Sequence, residues 1–279
     1  MDNITVVIIT YKSEKKVFDL INKIPKNIKI IVIENSENHK LKEKIKNEYK
    51  NAKVYVIENN GVSTSLNFAA KKIETKYFLQ ISPDIDFDFG DLKIYYELAN
   101  EINNKFAAIG PRFVDVKEKS HKQIKKNIKH DKIDSIHGSC MFINKKCFDE
   151  IGGFDNNFFL YFEETEYCYR GKKKGYYSYQ VNNSIVKSLG RSVETKNSEE
   201  DQNLSNILIW HFIWSKFYFN RKKYGKTLTI IKFIPLIIRI IFKILIYKFL
   251  RKKENLTKYK FRLDGLVKSI LNKKSDLRP

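Results

Sequence analysis

The first 81 residues alternate short runs of apolar, largely β-branched side chains with longer stretches of helical apolar period. Strands that alternate with helices of this length predict a parallel sheet in an α/β domain. Unbroken apolar strands are typical of a sheet that is covered on both faces. The predicted strands are Ile4–Thr10, Ile28–Ile33, Val54–Ile57 and Tyr77–Ile81, and the helices between them are Lys15–Ile24, Leu41–Tyr49 and Ser63–Ile73, the last capped by Ser63.

The alternation weakens after Asp84, and the composition changes near Leu204. We therefore predict an α/β domain over residues 1–203 and a C-terminal aromatic, basic and amphipathic helical region at a membrane interface over residues 204–279. The later predicted elements are helix Asp91–Asn104, a mobile basic loop Lys117–Lys132, strand Ile136–Ile143, helix Glu164–Lys174 closed by Gly175, helices Leu204–Tyr224 and Thr229–Leu250, and a basic tail.

The chain is strongly basic, with a formal net charge of +21. Nucleic acid, an anionic membrane face or a phosphorylated substrate fits that charge, although a lysine-rich source composition explains part of it. The three cysteines have neither the even count of a disulfide framework nor a CxxC zinc spacing. The N-terminus enters a strand directly, without the pattern of a signal peptide. We therefore expect a cytoplasmic protein with reduced thiols.

Polar residues follow the first two predicted strands. Thr10, Tyr11 and Lys12 close the first strand, and Glu34 and Asn35 close the second. Ligands of open α/β sheets bind beyond the carboxyl ends of the strands, where an acid such as Glu34 can hold a ribose hydroxyl or a base edge. An ordinary polar loop is the alternative interpretation.

Asn60 and Gly61 precede a predicted helix that contains Asn67. Gly61 permits a tight turn, and the free backbone N–H groups at the start of a helix suit phosphate. A simple helix start has the same pattern, so the phosphate interpretation stays a hypothesis.

Two carboxylates, Asp84 and Asp86, follow the fourth strand in the segment that begins with Ser82. In an extended segment they point the same way, and their oxygens suit Mg²⁺ or Mn²⁺ bridged to a diphosphate. Such a divalent cation stabilises the charge of a leaving diphosphate. The alternative is an acid cluster that favours the helix of residues 91–104.

The longest candidate segment, Gly152–Glu166, joins aromatic residues to adjacent acids. Apolar surroundings raise the pKa of a carboxyl such as Glu163 or Glu164, which suits a general base, and aromatic faces suit sugar rings. Acids at the start of a helix are again the structural alternative.

These segments occur together in one order, and the chain resembles the family 2 glycosyltransferases, particularly the rhamnosyltransferase-like branch. The resemblance covers roughly residues 4–225, with its longest match over Tyr161–Arg170. It implies the GT-A fold, a Rossmann-like, mostly parallel central sheet flanked by helices. It also implies an inverting, single-displacement transfer from a nucleoside-diphosphate sugar.

The resemblance implies residue roles as well. Glu164 stands in place of the usual Asp of a Glu-Asp pair as general base, with Glu163 as its helper or substitute. Asp84 takes the metal or diphosphate role. The nucleotide-sugar site takes the remaining residues: Thr10, Tyr11, Glu34, Asn35, Asn60, Gly61, Asn67, Ser82, Lys187, Arg191 and Ser192.

Three positions depart from the family pattern. Glu34 stands where the family has Asp, Ser82 replaces an Asn, and Lys187 stands where a His is usual. A protonated lysine cannot ligate a metal but can neutralise a diphosphate directly. The resemblance therefore implies a divalent cation less directly than it implies the fold.

The segment Ile230–Leu250 has the length of a membrane span, about 20 residues. Lys232, Arg239 and Lys243 interrupt it and fall on one stripe of a helix. This pattern favours an interfacial helix, with its apolar side in the acyl boundary and its cations on anionic headgroups. A core helix and a true span are the alternatives.

We therefore expect a transferase on the inner face of the cell membrane. Its donor is dTDP- or UDP-linked, with L-rhamnose as a candidate sugar, and its acceptor is a lipid-linked or surface glycan. A nucleotidyltransferase on the same fold, an inactive transferase and a non-catalytic basic membrane- or nucleic-acid-binding protein are the competing interpretations. Nucleic acid is not expected, because Lys117–Lys132 carries no Phe, Tyr or Trp for base stacking.

Overall fold

A computed structural model describes residues 3–114 and 127–279. The chain forms two compact units. The first, here the sheet unit, comprises Met1–Asp155 and Glu163–Glu194. The second, here the helical unit, comprises Asn156–Phe162 and Thr195–Pro279.

The sheet unit contains a mixed sheet with the strand order β3-β2-β1-β4-β8-β6-β9-β5, and β7 pairs with β9. Strands β1 to β4 pair with one another in parallel, whereas β8 runs antiparallel to β4 and β6. The strands are β1 Ile4–Thr10, β2 Lys29–Glu34, β3 Ala52–Val56, β4 Tyr77–Ile81, β5 Ile85–Asp86, β6 Phe106–Phe113, β7 His130–Ile133, β8 Cys140–Asn144 and β9 Tyr177–Ser188.

Helices flank this sheet in the sheet unit and make up most of the helical unit. The helices are α1 Glu14–Ile21, α2 His39–Glu48, α3 Val62–Ala70, α4 Leu92–Glu101, α5 Lys145–Ile151 and α6 Glu163–Lys173, followed in the helical unit by α7 Ser198–Tyr224, α8 Lys226–Phe249 and α9 Lys253–Ile270. A short 3-10 helix, Phe89–Asp91, precedes α4.

The sheet is buried on both faces, as unbroken apolar strands require. Along β1, Val6 and Ile8 belong to one core cluster and Val7 to another. Successive side chains of a strand point to opposite faces, so each cluster lies on its own side of the sheet. The α/β prediction is confirmed.

The helical unit has its own core, in which Ile213 and Phe217 of α7 pack with Phe233 and Ile240 of α8 and Leu266 of α9. In the described part of the chain, no helix has the length and apolar character needed to cross a membrane. The boundary predicted between residues 203 and 204 lies inside α7.

Most early elements match the sequence prediction, and β1 and β4 match it residue for residue. The predicted cap of α3 is wrong. Gly61 occupies the N-cap position, and the Ser63 hydroxyl is buried without a hydrogen-bond partner. The amphipathic period alone could not show that the chain turns at the glycine two residues earlier.

The later predictions are less complete. The basic tail is largely helix α9, in agreement with the helical region predicted over residues 204–279, although lysines dilute its apolar period. Of the predicted loop Lys117–Lys132, residues 117–126 lie outside the described residues, and His130–Ile133 forms β7.

Candidate active site

The carboxyl ends of β1, β2 and β4 meet at one edge of the sheet. These strands are parallel neighbours in the order β2-β1-β4, so the loops that follow them emerge side by side. The backbone N–H of Asn35 donates to the carbonyl of Thr10 over 2.9 Å, and the Lys12 N–H contacts the Ser36 hydroxyl at 3.3 Å. The chain continues from β1 in one direction and returns at β4 on the other side, so this edge is a switch point suited to a ligand.

The segment after β9 lies beside the same edge. The N–H of Leu189 donates to the Asp84 carbonyl over 2.7 Å, and that of Glu194 donates to the Lys12 carbonyl over 2.8 Å. The Lys16 ammonium donates to the carbonyl of Arg191. The structure thus brings the segment that contains Arg191 and Ser192 to the loop after β1, as the sequence prediction requires.

Asp84 and Asp86 have different surroundings. Burial raises the pKa of the Asp84 carboxyl, while its own backbone N–H and the charge of Lys16 act in the opposite direction. The exposed Asp86 carboxylate pairs with Lys23 over 2.6 Å and stands opposite Lys187 in the β5–β9 ladder. The two predicted metal ligands therefore do not share one environment, and lysine already engages Asp86.

The side chains around Asp84 determine whether a divalent cation fits this edge of the sheet. Among the described residues, no cluster of three or more His, Cys, Asp and Glu side chains could hold a metal ion by itself. Asp84 nevertheless offers a desolvated carboxyl whose charged form a cation would stabilise. The donor set fits a cation shared between Asp84 and the oxygens of a bound diphosphate.

Glu34 and Asn35 make extensive contacts within the protein. The fully buried Glu34 carboxylate accepts from the N–H groups of Ser36 over 2.9 Å and of Asn38 over 2.7 Å. The Asn35 amide exchanges hydrogen bonds of 3.0 and 3.1 Å with Ser65 of α3. These bonds hold the Glu34 carboxylate within the loop after β2 and the Asn35 amide against α3.

The segment before and within α3 is also held by the protein. Gly61 has a φ of +95°, which glycine adopts without strain, and the Asn60 amide donates to the Glu58 carboxylate over 3.0 Å. Asn67 donates to the carbonyl of Phe154 over 2.8 Å and accepts from its N–H over 2.9 Å. Asn67 therefore fixes the Gly-Gly-Phe-Asp turn against α3.

The acid pair Glu163 and Glu164 begins α6 and is buried, with 7% and 9% of each residue exposed. Burial raises the pKa of both carboxyls, and the neighbouring Glu164 raises that of Glu163 further. Backbone N–H groups at the helix start and the Thr165 hydroxyl, at 3.0 Å, stabilise the charged form of Glu164. Glu163 Oε2 is buried without a hydrogen-bond partner.

Residues 137–139 connect this acid pair to the sheet edge. A Cβ atom on Gly138 would lie 3.5 Å from Glu164 Cβ and 3.6 Å from Glu163 Oε1, so Gly138 lies directly beside both glutamates. The next residue, Ser139, accepts from the Ser82 N–H over 2.8 Å. The acid pair thus stands close to the chain that borders Asp84, within the sheet unit.

Two groups near the acid pair were missed as site residues in the sequence. His137 Nδ1 lies 2.6 Å from the Ser139 hydroxyl, and its ring packs on Phe113. The Glu166 carboxylate, 1% exposed, accepts two hydrogen bonds from Arg170 Nε over 2.8 and 2.9 Å. The His-Gly-Ser sequence and the Glu/Arg spacing of four residues were the available signals.

Two of the aromatic residues before the acid pair are buried and do not offer a free ring face to a sugar. Phe158 is fully buried and packs edge-on against Tyr218, and Phe159 stacks on His211. Both rings belong to the core of the helical unit, which the sequence could not reveal because their partners lie more than 50 residues away. Tyr161 and Phe162 stay partly exposed and adopt φ values of +66° and +67°.

A family model described as Glycosyl transferase family 2 matches residues 5–164, more than half of the chain. The chain belongs to glycosyl transferase family 2. The match ends at Glu164, so it contains the sheet edge, Asp84 and the acid pair. The predicted family is confirmed.

Similar proteins agree with this assignment. The low-salt glycan biosynthesis hexosyltransferase of Haloferax volcanii is 21% identical over 202 residues, which cover 62% of this chain and 63% of the relative. A mannosyltransferase of Pyrobaculum calidifontis, solved with GDP-Man and Mn²⁺, has a TM-score of 0.57 at 11% identity and covers 98% of this chain and 88% of its own.

TarS of S. aureus has a TM-score of 0.54 at 14% identity and covers 74% of this chain and 39% of its own. The chain thus spans under two thirds of the curated relative and well under half of TarS. At these identities the likenesses show the fold, and they confirm that this family 2 glycosyl transferase has the GT-A architecture.

Proposed function

We propose that the chain transfers a sugar, with inversion, from a nucleoside-diphosphate sugar to a hydroxyl of a glycan or lipid-linked acceptor. The observation that carries the proposal is the buried acid pair Glu163 and Glu164, with one carboxylate oxygen unpartnered, beside the chain that borders Asp84. A carboxyl pair with raised pKa values is the arrangement that a general base requires near neutral pH.

The two acids have different proposed protonation states. Two adjacent buried carboxyls disfavour the simultaneous charging of both, so they share a proton near neutral pH. Glu164 keeps the charge because the start of α6 and Thr165 stabilise its carboxylate. Glu163, whose pKa is raised further, keeps the proton and can donate a hydrogen bond through it.

In the proposed reaction, Glu164 accepts the proton of the acceptor hydroxyl as its oxygen attacks the anomeric carbon. The bond between that carbon and the diphosphate oxygen breaks, and its electron pair leaves with the nucleoside diphosphate. Attack opposite the leaving group inverts the anomeric configuration.

The sheet edge is the proposed donor site. The charge of Lys16 acts on Asp84, Lys187 stands opposite Asp86, and Arg191 belongs to the segment that Lys16 contacts, so this edge can supply positive charge to a diphosphate. Mg²⁺ or Mn²⁺, where bound, would be held by Asp84 and would neutralise charge that develops on the diphosphate. The mannosyltransferase neighbour, solved with GDP-Man and Mn²⁺, supports this arrangement.

The resemblance favours a dTDP- or UDP-linked donor, with dTDP-L-rhamnose as a candidate. It also favours a surface or lipid-linked glycan as acceptor. The hexosyltransferase relative acts, by its name, in glycan biosynthesis, which supports the acceptor class.

Calorimetric titration with UDP and dTDP, with and without Mn²⁺, tests the donor site. We expect one nucleotide to bind more tightly with Mn²⁺ and Asp84→Ala to abolish that gain. Asp86→Ala is the matched control and should retain most of the gain, because Lys23 already engages Asp86. If the nucleotide binds without metal and Lys187→Ala weakens that binding, Lys187 rather than a divalent cation neutralises the diphosphate. Absence of binding by both nucleotides in every condition would contradict the transferase proposal.

A further inference from the structure

One face of α8 presents apolar side chains to solvent along its whole length. At about 100° per residue, the exposed positions fall within an arc of about 100° of the helix surface. This set, here the α8 apolar face, consists of Ile231, Ile234, Ile238, Ile241, Phe242, Leu245 and Phe249, each between 45% and 87% exposed.

The opposite side of α8 fixes its rotation within the helical unit. Phe233 and Ile240 are buried, and Phe233 packs edge-on against Phe217 of α7 with ring centroids 5.1 Å apart. Ile240 belongs to the same core cluster as Leu266 of α9. Because this side already has partners, the α8 apolar face cannot turn inward without dismantling that core.

Cations border the α8 apolar face. Lys232, Arg239 and Lys243 fall on one flank by helical spacing, and Lys248 falls on the other. Lys232, Arg239 and Lys248 are exposed. An apolar strip bordered by basic residues matches the interface of an anionic bilayer, where hydrocarbon and phosphate lie at adjacent depths.

We propose that the α8 apolar face lies in the headgroup–acyl boundary of an anionic lipid bilayer, with α8 parallel to the membrane plane. A spanning orientation would place the four flanking cations in hydrocarbon at a high cost. A second copy fits less well, because a two-fold contact repeats one patch on both subunits and would bring these like charges together. The anionic cytoplasmic leaflet supplies such a surface. The proposal does not depend on sugar transfer.

Sedimentation with vesicles of phosphatidylcholine, with and without phosphatidylglycerol, tests this surface. We expect the full chain to bind anionic vesicles, and Ile238→Asp with Phe242→Asp to weaken that binding by about tenfold or more. The matched control, Asn27→Asp with Asn47→Asp, adds the same charge at exposed positions of the sheet unit and should change binding far less. If the two aspartate substitutions prevent folding, Ile238→Ser with Phe242→Ser replaces them in the same vesicle-binding assay.

The flanking cations have a separate signature. Neutralising Lys232, Arg239 and Lys248 to glutamine should weaken binding to anionic vesicles by about fivefold per residue and leave neutral vesicles nearly unaffected. Equal losses with both lipid compositions would contradict the electrostatic part of the proposal.

A fluorescent reporter distinguishes lipid insertion from contact between copies. In Phe249→Trp, the 87% exposed position gains an indole. We expect its emission to shift to the blue on anionic vesicles and brominated acyl chains to quench it. An emission shift that depends on protein concentration without lipid, together with a dimer in sedimentation velocity, would overturn the proposal in favour of self-association. No response to anionic vesicles would overturn it as well.

Discussion

The buried His211 makes the stability of the helical unit depend on pH. His211 Nδ1 lies 2.9 Å from the Ser275 hydroxyl and Nε2 lies 2.8 Å from the Leu277 carbonyl, so the neutral ring ties the C-terminal segment to α7. Burial lowers the pKa of His211 from 6.5 to about 4, and the nearby Arg278 acts in the same direction. Between these two pH values the unfolded chain binds a proton that the folded chain does not.

The sign and size of the effect follow from this difference. Stability from the neutral ring is complete above the unfolded pKa and is lost as the pH falls from 6.5 towards 4. At about pH 5 the unfolded state is mostly protonated at this site and the folded state is not, which costs about 2 kcal/mol relative to about pH 7.5.

Urea unfolding, followed by the fluorescence of Trp210 and Trp214 in α7, measures the effect at both pH values. His211→Gln removes the titration and serves as the reference, because other titrating groups contribute equally to both proteins. We expect the stability advantage of the wild type over the variant to shrink by about 2 kcal/mol between about pH 7.5 and about pH 5. An advantage that stays constant, or that grows on acidification, would refute the role assigned to His211.

Three further predictions concern the sheet unit. Arg170→Met should lower the free energy of unfolding by about 3–5 kcal/mol in urea titration, because it removes the guanidinium that forms an ion pair with the buried Glu166 carboxylate. Gly153→Ala should cost about 1–3 kcal/mol by the same assay, since φ is +65° and the new Cβ would lie 2.7 Å from Asn67 Oδ1. The rate of sugar transfer should fall on acidification through a pKa above the ordinary glutamate value, because the proposed base Glu164 can accept a proton only when it is ionised.

Each of these has a matched comparison. Lys146→Met breaks an ion pair whose lysine is 86% exposed, so it should change stability by less than about 1 kcal/mol. Gly175→Ala meets no atom within 4 Å, so only its φ of +84° opposes it and its cost should stay below that of Gly153→Ala. A rate that is constant across the acidic range would argue against a carboxylate base.

The parallel half of the sheet could be predicted because each strand carries its own signal. β1 and β4 are buried on both faces and therefore consist mostly of apolar residues. β9 was missed because it carries Asn182, Asn183 and Lys187, and much of its stability comes from pairing with β6, far away in sequence. The bounds of α9 within the helical region of residues 204–279 were not predicted, because lysines dilute its apolar period.

The sequence predicted which strand ends form the candidate site, but it did not predict the partners of the individual side chains there. Sequence spacing placed Glu34 and Asn67 near the sheet edge, but whether their polar atoms face a ligand depends on the conformation of the adjoining backbone. Glu34 accepts from N–H groups of its own loop, and Asn67 pairs with Phe154, 87 residues away. The close approach of Gly138 to the acid pair likewise requires the folded chain.

The measurement that most directly tests catalysis by the acid pair compares Glu164→Gln with Glu163→Gln. Release of nucleoside diphosphate from the donor that binds best is followed in the presence of acceptor, with donor affinity measured by calorimetry on the same proteins. We expect Glu164→Gln to lower the transfer rate by about 100-fold or more with donor affinity nearly unchanged, and Glu163→Gln to retain much more activity. Full activity of Glu164→Gln with normal donor binding would contradict the assignment of Glu164 as the general base.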